Sequence, residues 1–64
     1  MPRMFMCIDN SGYPASLEIR KVYIYVSDPA AEAQGLLRIR QESGRTYVYP
    51  RALFTPYISS KEGS

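Results

Sequence analysis

The chain has 64 residues, enough for one small domain, and a domain of this size buries only about 60% of the surface that its unfolded chain exposes. Hydrophobic residues make up 45% of it and charged residues 22%, a composition typical of a globular domain and not of a disordered tail. The net charge of +2 is mild, so it permits a polyanionic partner without requiring one. Because so small a core leaves a thin stability margin, a second copy or a partner protein that covers apolar surface would stabilise the fold.

The cysteine and histidine content argues against a secreted protein and against an enzyme. Cys7 is the only cysteine, so no intramolecular disulfide can form, and a cytoplasmic location is expected. The apolar run at residues 4–8 is too short for a signal peptide or a membrane span. There is no histidine, and the carboxylates are scattered along the chain. We therefore expect no catalytic site, no cofactor, no metal site and no membrane partner, and we expect Cys7 to be a buried, inert residue.

The first 27 residues predict two strands separated by a turn-rich connection. Residues 3–9 are apolar on both faces and predict the first strand. Turn-forming residues crowd the stretch "DNSGYP", residues 9–14. Leu17 and Ile19 then alternate with charged residues, which fits a short strand or an extended loop arm. The stretch "KVYIYVS", residues 21–27, combines β-branched and aromatic residues and is the clearest strand of the chain.

The stretch "SDPAAEAQG" predicts one or two helical turns. Ser27 or Asp28 can cap the helix, and Pro29 suits its first position, where a missing N–H costs nothing. Gly35 stands where a left-handed residue commonly ends a helix.

The remaining residues predict a hairpin and a last strand. Residues 36–41 form a strand that places Leu37 and Ile39 on one face, and "ESG" supplies a three-residue loop in which Gly44 takes the left-handed conformation. Residues 46–49 return as the partner strand, closed by Pro50.

After the hairpin, residues 51–54 fit a single tight turn and residues 55–58 a short closing strand. About five short strands with one helical turn predict an all-β fold, a small and strongly bent sheet that forms a single domain over residues 1–58. Residues 59–64 are expected to be a flexible tail. Strand spacing leaves an SH3-like barrel, an OB-like barrel and an open meander as alternatives, and the short length favours the smallest, the five-stranded SH3-like barrel.

The order of three segments is similar to that of a known group of proteins. "CIDNSGYPASLEIRKVY" is followed by the insert "DPAAEAQG" and then by "GLLRIRQESGRTYVYPRALF". This succession resembles small uncharacterised bacterial and phage proteins, in which a strand ending Cys-Ile/Val-Asp-Asn precedes a Leu-x-x-Gly-Lys-x-Tyr segment, a hairpin and a closing aromatic residue. The resemblance runs from Met4 to near Phe54 and implies an SH3-like β-barrel with no assigned activity.

Two positions depart from the pattern of that group. Arg20 stands where the pattern has a glycine before Lys21, so a turn with positive φ at this position is predicted to be strained or rebuilt. Arg45 and Thr46 stand where the pattern has acidic residues, which makes the hairpin of this chain more basic.

Strand alternation predicts which side chains face outward. We expect the aliphatic residues Val22, Ile24, Leu37, Ile39 and Val48 to face the core, which leaves tyrosines and arginines on the outside. The predicted binding surface consists of Tyr23, Tyr25, Arg38, Arg40, Arg45, Tyr47, Tyr49 and Arg51.

Three interpretations of this surface remain open. Cross-strand aromatic pairs and Arg–Tyr contacts can serve only to stabilise the sheet, by about 0.2–1 kcal/mol each. Tyrosine and arginine are also enriched at the energetic centres of protein interfaces, which favours an unknown protein partner or self-association as a homodimer. The alternative is a single-stranded nucleic-acid-binding barrel, in which tyrosines stack on bases and arginines contact phosphates. The mild net charge places nucleic acid last.

Overall fold

Five short antiparallel strands form the sheet of this protein. The computed structural model describes residues 4–58, so the predicted tail, residues 59–64, lies outside the described part of the chain. The strands are β1 (Met4–Cys7), β2 (Val22–Val26), β3 (Leu36–Arg40), β4 (Thr46–Pro50) and β5 (Phe54–Tyr57). They are ordered β4-β3-β2-β1-β5, with β2 in the centre. The prediction of a five-stranded all-β fold is confirmed.

The sheet is curled into a small SH3-like barrel. Edge strands β4 and β5 are separated by three other strands, so in a flat sheet they would lie about 19 Å apart at about 4.8 Å per strand. Yet the ring of Tyr49 on β4 lies 6.2 Å, centroid to centroid, from the ring of Phe54 on β5. A single 3-10 turn, Arg51–Leu53, joins these two strands, in agreement with the tight turn predicted there.

The one α-helix, α1 (Pro29–Glu32), has the ends that its sequence predicts. Asp28 caps it by accepting a hydrogen bond from the Ala31 N–H at 3.1 Å, and Pro29 occupies the first turn. Gly35 follows with φ +78°, a conformation that glycine adopts without steric cost. None of the helices in the described range is long and apolar enough to cross a bilayer.

The β3–β4 hairpin also has the predicted loop. The Gln41 N–H donates to the Arg45 carbonyl at 2.8 Å, which leaves three residues in the loop, and Gly44 has φ +91°. In this register Leu37 lies opposite Tyr49, and Arg38 lies opposite Val48.

The connection from β1 to β2 is a loop and not an additional strand. The Leu17 N–H donates to the Tyr13 carbonyl at 2.9 Å, which closes a tight turn. That turn buries Leu17 in the core and leaves Ile19 46% exposed. Of the two alternatives for this segment, the short strand is therefore wrong, and the segment is a loop that contains turns.

The predicted inward orientation is correct for β3 and wrong for β2 and β4. Ile24 is 53% exposed and Val48 is 39% exposed, while Tyr23 and Tyr49 are each only 4% exposed. Val22, which was also expected in the core, is half-buried on the same side of β2 as Ile24. The core consists of Phe5, Cys7, Leu17, Tyr23, Leu37, Ile39, Tyr49, Leu53 and Phe54.

The hairpin register explains the error on β4. Residues directly opposite each other in an antiparallel pair share a face. Leu37 points into the core, so its partner Tyr49 does the same, and the Arg38–Val48 pair points outward. The same reasoning reaches β2, where Tyr25 lies opposite the buried Ile39 and packs against the core. Because side chains alternate along a strand, assigning one residue to the wrong face reverses the predicted orientation of the whole strand.

Arg20 is the only described non-glycine residue with a positive φ, at +71°. The sequence led us to expect a strained or rebuilt turn if the backbone at this position has a positive φ. The left-handed conformation costs an L-residue about 1–2 kcal/mol, since its Cβ approaches the following carbonyl oxygen. The neighbouring backbone holds it there: the Arg20 N–H donates to the Cys7 carbonyl at 2.6 Å.

We predict that Arg20→Gly stabilises the protein. Glycine removes the steric cost at φ +71°, and the extra entropy of glycine in the unfolded chain offsets part of the gain, which leaves about 0.5–1 kcal/mol. Urea unfolding measures the change. Arg20→Ala is the matched control, because it removes the same side chain but keeps the Cβ and should give no gain. Equal stabilities of the two variants would contradict the strain at this position.

Candidate functional site

The four tyrosines of the predicted surface lie on the core side of their strands. Tyr23 and Tyr49 are buried, and Tyr25 is half-buried and packs edge-on against Phe5, with ring centroids 5.4 Å apart. Only Tyr47, the second residue of β4, is well exposed, at 45%. The expectation that Tyr23, Tyr25 and Tyr49 face solvent is therefore wrong.

The four arginines of the predicted surface lie in three separate places. Arg38 and Arg40 point outward from β3, as predicted. Arg45 is exposed and directly follows the hairpin loop. The guanidinium carbon of Arg51 lies 5.7 Å from the centroid of the Phe5 ring, in a cation–π contact. The structure does not bring the eight predicted residues together into one patch.

The inward tyrosines hold the long β1–β2 loop with their hydroxyl groups. The Tyr23 hydroxyl accepts a hydrogen bond from the Glu18 N–H at 3.0 Å. The Tyr49 hydroxyl accepts one from Gln41 Nε2 at 2.8 Å, and the same nitrogen donates to the Ser16 carbonyl at 3.1 Å. Each ring thus fills the core while its polar end reaches the rim of the barrel. This explains why tyrosines alternate with aliphatic residues in β2 and β4.

An open groove of about 520 Å³ lies between this loop and the hairpin. Lys21 crosses it: its ammonium group pairs with Glu42 and lies 5.4 Å from the centroid of the Tyr23 ring. The bond from Lys21 holds the pKa of Glu42 below its ordinary value. The polar side chains Lys21, Tyr23, Gln41 and Tyr49 bond to one another, to Glu42 or to the loop backbone. We therefore interpret the groove as the junction between the loop and the barrel and not as a binding site.

The side of the sheet that faces away from the core, called here the outer face, carries mostly apolar side chains. Ile24 occupies its centre, on the central strand β2, with Met4 and Arg40 opposite it on the two neighbouring strands. An antiparallel sheet with one solvated face ordinarily alternates apolar with polar residues, and here β1 and β2 do not. The apolar residues of the outer face are Met4, Met6, Val22, Ile24, Val26, Leu36, Val48 and Tyr57.

Two arginines border the apolar part of the outer face. Arg38 donates from Nε to Asp28 Oδ2 at 2.7 Å and from a terminal nitrogen to Thr46 Oγ1 at 3.2 Å. This contact with Arg38, followed by the Ala31 N–H, holds the pKa of Asp28 below its ordinary value of 3.8. Arg40 is exposed and makes no ion pair within residues 4–58.

Sequence reasoning assigned the centre of the outer face to the core. Ile24, Val22 and Val48 were read as interior residues because they are aliphatic. The three-residue hairpin loop could have predicted the correct orientation of β4. It pairs position 41 with position 45, which places Val48 opposite the outward Arg38.

No group of His, Cys, Asp and Glu side chains suited to a metal ion occurs in the described part of the chain. Cys7 is fully buried, and its thiol donates to the Asp9 carbonyl at 3.4 Å.

Comparisons of the chain with protein-family models, with curated proteins and with solved structures give no match.

We predict that two Tyr→Phe substitutions differ in their effect on the free energy of unfolding. Tyr23→Phe removes the acceptor of the Glu18 N–H and should lower the free energy of unfolding by about 1 kcal/mol, while speeding hydrogen exchange at that amide. Tyr25→Phe is the matched control, because its buried hydroxyl has no hydrogen-bond partner among the described atoms. It should leave stability unchanged or raise it by about 1 kcal/mol. Equal losses in both variants would contradict the tethering role of Tyr23.

We also predict that the Asp28–Arg38 contact makes stability depend on pH. The pKa of Asp28 is lowered in the folded state, so its contribution is complete above the ordinary value of 3.8 and is lost as the pH falls from there through the folded pKa. Asp28→Asn keeps a residue that can cap α1 but removes the charge. The stability difference between wild type and variant, measured by urea unfolding, should therefore shrink below pH 3.8. A difference that stays constant to lower pH would count against the contact.

Proposed function

We propose that this protein is a small interaction module that binds another protein molecule through its outer face. The observation that carries the proposal is Ile24, which is 53% exposed on the central strand. Apolar residues surround it on β1, β2 and β5, where a solvated face ordinarily carries polar ones. Contiguous exposed apolar surface on a soluble domain commonly marks an interaction site.

Two features support contact through the face and not through the edges of the sheet. Edge strands expose unpaired backbone groups that invite pairing with another chain, and proline blocks such pairing because it lacks an N–H. Both edge strands carry one, Pro50 on β4 and Pro56 on β5. Strand addition is thus disfavoured, whereas the side chains of the outer face remain accessible.

Single-stranded nucleic acid is the weaker candidate ligand. Base stacking needs accessible ring faces. Of the four tyrosines predicted to stack on bases, Tyr23 and Tyr49 are buried, Tyr25 packs against the core, and only Tyr47 is exposed. Of the arginines, Arg38 is already bonded to a carboxylate. We place the module in the reducing cytoplasm as part of the same proposal, since its one thiol is free.

Site-specific photo-crosslinking in the cells that express the chain tests the proposal. A benzophenone amino acid at position 24 should give a discrete adduct, either with a partner protein or with a second copy. The same amino acid at position 19 is the matched control, because Ile19 has similar exposure, 46%, but lies in the β1–β2 loop. Absence of an adduct at position 24, or the same adduct at both positions, would refute binding through the outer face.

A further inference from the structure

The charges of this protein are distributed unevenly between its strands and its connections. Within the five described strands the only charged residues are Arg38 and Arg40, and both lie on the outer face. The carboxylates of the described chain all lie in connecting segments: Asp9 and Glu18 in the β1–β2 loop, Asp28 and Glu32 at α1, and Glu42 in the hairpin loop. The strands thus contribute positive charge and no carboxylate to the surface around Ile24. The two carboxylates at its border, Asp28 and Glu42, are paired with Arg38 and Lys21, which leaves Arg40 as the charged residue of the outer face without an ion pair in the described range.

We propose that the occupant of the outer face is an acidic segment of another protein, with apolar side chains and carboxylates side by side. This inference rests on the proposed function of that face. The apolar side chains of the segment cover Ile24 and Met4. Its carboxylates meet Arg40, which lies directly opposite Ile24 on the neighbouring strand. A guanidinium group binds a carboxylate through two parallel hydrogen bonds, so Arg40 supplies both charge and geometry.

A second copy of this chain fits the outer face less well. At about 4.8 Å between strands and about 3.3 Å per residue, the sheet spans about 19 by 16 Å, or roughly 300 Å² in projection. A standard interface buries about 800 Å² on each partner. The curl of the sheet makes the outer face convex, so two such faces touch over only part of that area. Nor does a second copy offer strand carboxylates to Arg40.

Membranes and nucleic acids need more positive charge than this face supplies. Segments that bind anionic lipid surfaces cluster about four to eight Lys and Arg residues. The outer face has two, and one of them, Arg38, is bonded to Asp28. A short segment that follows the curved sheet needs only one or two such contacts, because the apolar side chains supply the remaining affinity.

Selection from a library of random 12-residue peptides tests the proposal on the full chain. Peptides enriched on the wild-type protein should be apolar and carry more Asp and Glu than Lys and Arg. The most enriched peptide, synthesised and followed by fluorescence anisotropy, should bind Arg40→Gln about tenfold more weakly. Arg45→Gln is the matched control, because it removes an exposed arginine outside the outer face, and it should change Kd less than twofold.

Two further variants separate this proposal from the one on which it rests. Ile24→Thr should weaken binding of the peptide, and Ile19→Thr, at a similarly exposed loop position, should leave its Kd unchanged. Neutral or basic peptides that still depend on Ile24 would overturn the acidic partner and leave the interaction face standing. If the enriched peptides bind Ile24→Thr as tightly as wild type, binding through the outer face is refuted. If no peptide is enriched, the proposal of an acidic partner segment is refuted. Binding to phosphatidylserine vesicles or to a dT oligonucleotide that depends on Arg40 would reassign the face and overturn the proposal.

Discussion

The register of the β3–β4 hairpin is the constraint on which the rest of this structure depends. A three-residue loop closed by Gly44 sets Leu37 opposite Tyr49, and residues opposite each other in an antiparallel pair share a face. Tyr49 therefore enters the core, where its ring meets Phe54 from the opposite edge of the sheet. This contact and the short 3-10 connection accompany the curl of the sheet into a barrel.

Tyrosine in the interior meets two needs of so small a domain. A barrel of five short strands has few interior positions, so each must contribute a large apolar area. Its ends are also close to every interior residue, which lets a phenol ring lie in the core while its hydroxyl reaches the rim. Tyr23 and Tyr49 use this reach to hold the β1–β2 loop, directly through Glu18 and indirectly through Gln41. The long connection is thereby fixed to the barrel without an additional strand.

The same alternation has a consequence for function. With tyrosines inside, the β-branched and Met side chains of β1 and β2 are left on the outer face, around Ile24. That arrangement places apolar side chains beside Arg38 and Arg40, and the binding proposed above rests on it. Arg45 and Arg51 are separated from the outer face for another reason, because both lie in connecting segments and not in strands.

The sequence by itself determined the local elements: the hairpin loop at Gly44, the cap at Asp28 and the number of strands. These follow from interactions between near neighbours, which each residue type encodes directly. Only the tertiary structure decided which face of β2 and β4 is the interior. Aliphatic and tyrosine side chains both suit a buried position, so composition cannot choose between two faces that are each apolar. Pairing with β3, a contact between distant residues, makes that choice and thereby sets which side chains form the outer face.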